Sequence, residues 1–192
     1  MSYNDIYKYR KNVFGDEPTP ILAMAVNLFE NQQSNKSFLD IGCGQGRDSL
    51  YMSGLGFQVE AVDSSEVACE QLLRIVSDKN INNIHVKNAD IKDLIIKDEQ
   101  FDIISAINAL HFVDKITALK TIDMMKKSIK SGGIIVISSF VFRNGFIEKE
   151  LLELFDDFEV LHFQESIIED SGHPGQPEKH THYVSRIIAK KI

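Results

Sequence analysis

Residues 38–63 read FLDIGCGQGRDSLYMSGLGFQVEAVD, and this stretch decides the fold. Ser37-Phe38-Leu39-Asp40-Ile41 is a short apolar run with the length and flanks of a buried parallel strand. Glycine then occupies every second place in Gly42-Cys43-Gly44-Gln45-Gly46, and a helix-forming segment starts at about Arg47. A second β-branched run, Val59-Glu60-Ala61-Val62, ends on Asp63. Strand, glycine loop, helix, strand and carboxylate in that order make half of a nucleotide-binding α/β sheet.

The loop chemistry narrows the ligand. Glycine lets the chain turn tightly and lets a ligand touch the main chain. An acid at the tip of the next strand can accept hydrogen bonds from a ribose diol. Both a dinucleotide and S-adenosylmethionine meet these conditions. The dinucleotide fingerprint places its third glycine three residues after the second. Counted from Gly42 and Gly44, that place holds Arg47. Asp40, just before the loop, would repel a pyrophosphate but help place the ammonium of an amino acid, directly or through the loop. The pattern favours S-adenosylmethionine over NAD, which leaves an NAD-binding oxidoreductase module as the weaker reading.

With 192 residues, 43% of them hydrophobic and 26% charged, the chain has the size and make-up of one globular domain. A net charge of -7 gives no global support for binding nucleic acid. No apolar run approaches membrane-spanning length, and the polar start lacks a secretory signal. Cys43 and Cys69 make neither a disulfide framework nor a metal cluster, so a cytoplasmic protein is expected. Neither a membrane nor a nucleic acid is an expected partner; a small-molecule acceptor and a monomer or homodimer are the expectation.

The rest of the chain alternates in the same rhythm. Residues 1–17 are polar and aromatic, with Tyr3, Tyr7, Tyr9, Arg10 and Lys11, and read as a frayed terminus or a lid. Thr19-Pro20 opens a helix to about Glu30. Ser64-Ser65-Glu66 opens another, and Ile84 to Lys87 is a third strand followed by Asp90 and Ile91. Residues 101–107 are apolar on both faces and form a central fourth strand running into Asn108 and His111, with His111 read as structural. A helix over residues 114–129, with Ile116, Leu119, Ile122 and Met125 in register, ends on Gly132-Gly133 as its left-handed exit. The fifth strand is 134–138. A short helix at 148–155 precedes strands at 158–165 and 183–190, joined by a polar loop over 166–181. Two strands joined without a helix pair antiparallel. The expected fold is therefore a Rossmann-like, doubly wound, mostly parallel seven-stranded sheet with a C-terminal antiparallel hairpin and helices on both faces. Residues 1–36 form its lid and first helix, 37–139 the cofactor-binding core, and 140–192 the C-terminal helix and hairpin.

These segments resemble the class I S-adenosylmethionine-dependent methyltransferases, and within them the tellurite-resistance methyltransferase group. The resemblance rests on residues 39–51 and 56–63, on 101–105, on Gly132-Gly133, on 14–20 near the start, and on 186–191 at the end. It implies that Asp63, with the adjacent Ser64, holds the ribose hydroxyls, and that Asp90 with the Ile91 main chain holds the adenine. Gly42, Gly44, Asp40 and the main chain near Ala106 would hold the methionine part. Tyr7 and Arg10 would close over the cofactor, and Arg47 would meet its carboxylate or pair with Asp48 or Asp40. The group is implied to methylate metalloid oxyanions with basic residues before the last strand. Here that loop carries His173, His180 and His182 without a His-Arg pair.

Methyl transfer from a sulfonium is an in-line displacement, so the protein's work is alignment. A soft or anionic acceptor, such as a thiol-type compound, needs no general base, whereas an oxyanion such as tellurite or selenite needs positive charge around it. If the chain is extended from Thr181, His180 and His182 share one strand face, where they can bind an anion, act as base or ligate a metal. His173, His180 and His182 are thus the candidate acceptor-site residues, with no resident metal expected. A non-catalytic S-adenosylmethionine-binding sensor or partner subunit would keep the same glycine loop and Asp63.

Overall fold

Phe38 and Leu39 are neighbours in the first strand, and each belongs to a different core. The same split recurs at Ile103 and Ile104, at Ile134 and Ile135, and at Ile188 and Ile187. Side chains alternate across a strand, so these pairs place one sheet between two apolar layers. In the computed structural model, which describes residues 3–30, 35–141, 146–170, 172 and 178–192, the strands are β1 (Ser37–Ile41), β2 (Gln58–Asp63), β3 (Ile84–Asn88), β4 (Phe101–Ile107), β5 (Ile129–Phe140), β6 (Glu159–Asp170) and β7 (His180–Lys190). They form a seven-stranded sheet in the order β3-β2-β1-β4-β5-β7-β6. β1 to β5 pair in parallel, and β7 is antiparallel to both β5 and β6. The mostly parallel sheet with its terminal hairpin is the expected architecture, with β4 at its centre.

Helices cover both faces. On one lie α2 (Pro20–Leu28), α3 (Arg47–Gly54) and α4 (Glu66–Asp78), which contribute Leu22, Met52 and Leu72 to one core. On the other lie α5 (Lys115–Ser128) and α6 (Glu150–Glu153), with Ile122, Met125 and Leu151. Among the described residues, no helix is long and apolar enough to cross a membrane.

One element was not expected, and three expectations need correction. The N-terminal segment contains a helix, α1 (Tyr3–Tyr9), whose Ile6 and Tyr7 are buried and which packs on α4. Its apolar pair is too sparse to announce a helix from sequence. Gly132-Gly133 is not a helix exit. α5 stops at Ser128, Ile129 is already extended, and β5 runs through both glycines. The stretch from Ile129 to Ile134 faces the shorter one from Phe101 to Ile103, so the glycines lie in a bulge. A Cβ on Gly133 would come within 2.9 Å of the Asp102 carbonyl oxygen. The bulge also lets Lys130 reach the Asp102 carboxylate at 2.8 Å.

Ile116 is exposed rather than in register. With 3.6 residues per turn it stands about 120° from Ile122, and the buried stripe is Ala118, Ile122 and Met125. The polar loop expected over 166–181 is much shorter. Residues 166–170 and 180–182 continue the hairpin ladder, with Asp170 opposite His180 and Ile168 opposite His182.

Candidate functional site

The loop after β1 is shaped by its own hydrogen bonds. The N–H groups of Gly42 and Cys43 both donate to the Val62 carbonyl, at 2.8 and 3.0 Å, which curls the chain over the end of β2. Gly42 has φ +75°, and a Cβ there would sit 2.4 Å from the Ala109 Cβ, so this place requires glycine. The Gly44 N–H donates to Asp63 Oδ2 at 2.7 Å, and the Ser65 N–H donates to Oδ1 at 2.8 Å. Burial pushes the Asp63 carboxyl up, while these two donors pull against it. An ionised carboxylate offers about four lone-pair sites. With one used on each oxygen, Asp63 keeps one on each for a vicinal diol.

α1 is tied over this loop. Gln71 Nε2 donates to the Tyr7 carbonyl at 2.7 Å, and Gln45 Nε2 donates to the Arg10 carbonyl at 3.0 Å. Gln45 Oε1 also accepts the Val13 N–H at 2.8 Å. The Tyr7 hydroxyl lies 3.0 Å from where a Gly44 Cβ would stand. Tyr7 therefore sits against the glycine loop and lines the cavity beside it. The Arg10 side chain is exposed and is not on the cavity wall, so only its carbonyl joins the site.

Asp40 lies beneath the loop, buried at 4% exposure. Its Oδ2 accepts the Ser49 hydroxyl at 2.6 Å and its Oδ1 the Ser105 hydroxyl at 2.9 Å. Burial, and then the Asp48 charge, raise its carboxyl to about 7 against the pull of those hydroxyls. Its burial and its ties to Ser49 and Ser105 make it a support beneath the loop, and it also borders the cavity.

The remaining assignments divide. Arg47 pairs with Asp48 (3.7 Å), and its Nη1 donates to the Phe14 carbonyl at 3.0 Å. Asp48 also takes the Thr19 N–H at 2.7 Å and hydroxyl at 2.8 Å, joining α2 to α3. Ser64, Asp90 and Ile91 reach the cavity wall. Asp90 also caps its own turn through the Lys92 N–H at 3.1 Å, and that N–H and the ammonium hold its carboxyl below the usual value. Ala106 is fully buried, and the neighbouring Ile107, Asn108 and Ala109 line the cavity in its place.

The cavity measures about 1530 Å³ and runs from the glycine loop to the hairpin. Ligand pockets commonly span roughly 300–1,000 Å³, so there is room for a second small molecule beside a cofactor. Its far wall holds His111, Phe140, His162, Gln164 and Arg186. Three of the neighbouring rings form a stack: His111 lies 4.0 Å from Phe140, and Phe140 lies 4.1 Å from His182. Arg186 Nη1 donates to the Ser166 hydroxyl at 3.0 Å, and burial alone pulls its guanidinium below the usual value. Arg186 forms no ion pair among the described residues.

Sequence reasoning did not single out Arg186, His162 and Gln164, which line this wall, and it read His111, also on the wall, as structural rather than catalytic. The usable signal was period-two alternation, since His182, Val184 and Arg186 share a face once the strand begins at His180. Of the three candidate histidines, His180 and His182 stand together, with their Nε2 atoms 2.8 Å apart. His173 lies outside the described residues.

The donor set suits S-adenosylmethionine: bare main chain at Gly42 and Gly44, a diol-accepting carboxylate at Asp63, and Asp90 on the wall beyond. A family model described as "Tellurite resistance protein TehB" matches residues 19–173. A Haemophilus influenzae protein named "Probable S-adenosyl-L-methionine-dependent methyltransferase TehB" is 32% identical over 139 residues, 67% of this chain and 48% of that protein. A ribosomal protein L11 methyltransferase of Campylobacter concisus is 25% identical over 134 residues, 70% of this chain and 44% of that one. The chain thus spans about half the length of the curated relatives it matches. The crystal structure of TehB from Haemophilus influenzae superposes with a TM-score of 0.81 at 25% identity, covering 100% of this chain and 68% of that one. A methyltransferase from Aquifex aeolicus, 17% identical with a TM-score of 0.66 and complete coverage of both chains, shares the fold. By the match across residues 19–173 and the common architecture, the chain belongs to the TehB tellurite-resistance family of class I S-adenosylmethionine-dependent methyltransferases.

Proposed function

We propose that the chain transfers a methyl group from S-adenosylmethionine to a small anionic acceptor, a metalloid oxyanion such as tellurite or selenite or a thiolate. The observation that carries this reading is the continuity of one cavity from the Asp63 carboxylate to the half-buried Arg186 guanidinium. Bound S-adenosylmethionine supplies an electrophilic methyl group on a positively charged sulfur. Asp63 would accept from the ribose hydroxyls, and the Gly42 and Gly44 main chain would border the methionine part. Asp90 and the Ile91 backbone would face the adenine.

At the other end, Arg186 contributes a fixed positive charge in a partly water-excluded setting, where it acts more strongly than in bulk solvent. His111, held against Phe140, and His162 add polar groups on the same wall. An acceptor anion held there needs no general base, because it already carries its nucleophilic electron pair. This division of labour makes alignment the main contribution of the protein. The acceptor is a freely diffusing small molecule, the protein works as a monomer or homodimer, and the setting is cytoplasmic.

The test is release of S-adenosylhomocysteine with tellurite, selenite, thiols, thiopurines and small amines offered singly. Product with an oxyanion or thiol supports the reading. Product with amines alone, or with none of the panel despite cofactor binding, contradicts it.

A further inference from the structure

We propose that Asp170, His180 and His182 form a zinc(II) site at the open end of the β6–β7 hairpin, bordering the far wall of the cavity. One potential ligand atom from each lies within 4.8 Å of the other two. The placement follows from the ladder. Asp170 and His180 are directly opposed, and His182 is two residues further along β7, so all three side chains leave the same face.

The ligand atoms are also oriented. His180 Nδ1 lies 2.8 Å from the Glu178 carbonyl oxygen. A carbonyl only accepts, so in the neutral ring Nδ1 carries the proton and Nε2 accepts from His182 Nε2 at 2.8 Å; a metal ion would take the place of that shared proton, which leaves as the metal binds. A backbone carbonyl on the distal ring nitrogen is the usual support for a metal-bound histidine. The His182 ring is held by its stack on Phe140, at 4.1 Å and 8° between planes. On Asp170, Oδ1 accepts the Gly172 N–H at 2.8 Å, while Oδ2 lies 3.6 Å from His182 Nε2.

The spacing is close to what a metal needs. Ligands roughly 2.0–2.2 Å from one zinc in a tetrahedral arrangement stand roughly 3.3–3.6 Å apart. The His182-to-Asp170 distance of 3.6 Å already fits, and the 2.8 Å between the two Nε2 atoms opens with a small ring rotation. Two imidazoles and one carboxylate match zinc better than calcium or magnesium, which prefer oxygen ligands. Three protein ligands leave a fourth position open, and of the three only Asp170 lines the cavity. Metal binding itself does not depend on the methyl-transfer reading.

The experiment uses the tag-free full chain, stripped with chelator and titrated with zinc(II) against a chromophoric competitor. One equivalent of zinc per chain is expected. Its affinity should fall at least about tenfold in His180→Ala and in Asp170→Asn, and remain unchanged in His85→Ala, whose exposed imidazole sits on β3. S-adenosylmethionine titrations run on the same samples should match wild type, which shows that each variant is folded. Failure to bind one equivalent of zinc, or equal zinc affinity in all variants, overturns the site. Either result with intact cofactor binding leaves the proposed methyl transfer standing.

Discussion

The Gly44 N–H donates to Asp63 Oδ2 across 2.7 Å, so the loop after β1 and the tip of β2 are one hydrogen-bonded unit. The carboxylate that would meet the ribose is also the group that holds the glycine loop in shape. Removing it therefore costs twice. Asp63→Ala should weaken S-adenosylmethionine binding by at least about 10- to 100-fold, in line with about 1.5–3 kcal/mol for a hydrogen bond to a charged group. Calorimetric titration of the cofactor measures this, and a loss under threefold would separate Asp63 from the ligand.

Gly42 is enclosed and Gly15 is not, although both have positive φ. Gly42→Ala drives its Cβ to 2.4 Å from the Ala109 Cβ, whereas a Cβ on Gly15 meets nothing within 4 Å. Gly42→Ala should lower the unfolding free energy by about 1–3 kcal/mol more than Gly15→Ala. Urea melts of the two variants give the comparison directly.

Asp40 should make the stability depend on pH. Its folded-state carboxyl is raised to about 7 by burial and the Asp48 charge, against 3.8 for the free group. Between those values the folded chain holds a proton that the unfolded chain has released. Stability from this group is complete below about pH 4 and is lost as pH rises through about 7. Melting temperatures of the ligand-free protein should fall between about pH 4 and 7, and Asp40→Asn should flatten that slope. An unchanged slope in the variant would show that other groups control it.

Arg186, whose Nη1 donates to the Ser166 hydroxyl, would supply charge to the proposed acceptor end. Arg186→Met should cut kcat/KM for an anionic acceptor by about 10- to 100-fold while leaving the cofactor Kd within about twofold. Equal losses in both quantities would mean that Arg186 acts on the fold rather than on the acceptor.

The cofactor half of the site was legible because its requirements are local. Gly42, Gly44 and Asp63 are forced into place by a turn, a close approach and a strand end, and each leaves a mark within a few residues. The acceptor half is not local. His111 reaches Phe140, and Phe140 reaches His182, only after β4, β5 and β7 have paired. Glycine misled the reading once, at Gly132-Gly133, because helix exits and strand bulges ask for the same left-handed backbone. α1 was hidden for a different reason. It is held by the burial of Ile6 and Tyr7 and by the hydrogen bond from Gln71 of α4, and the chain just after it by Gln45 of the glycine loop, with no apolar stripe to advertise it.

The central claim is that the Gly42–Asp63 unit receives a methyl-donor cofactor. Titration of S-adenosylmethionine and NAD into the full chain, side by side, tests it most directly. One equivalent of S-adenosylmethionine bound, with no NAD bound and with binding weakened at least about tenfold in Asp63→Ala, is the result expected. Binding of NAD without S-adenosylmethionine would contradict it.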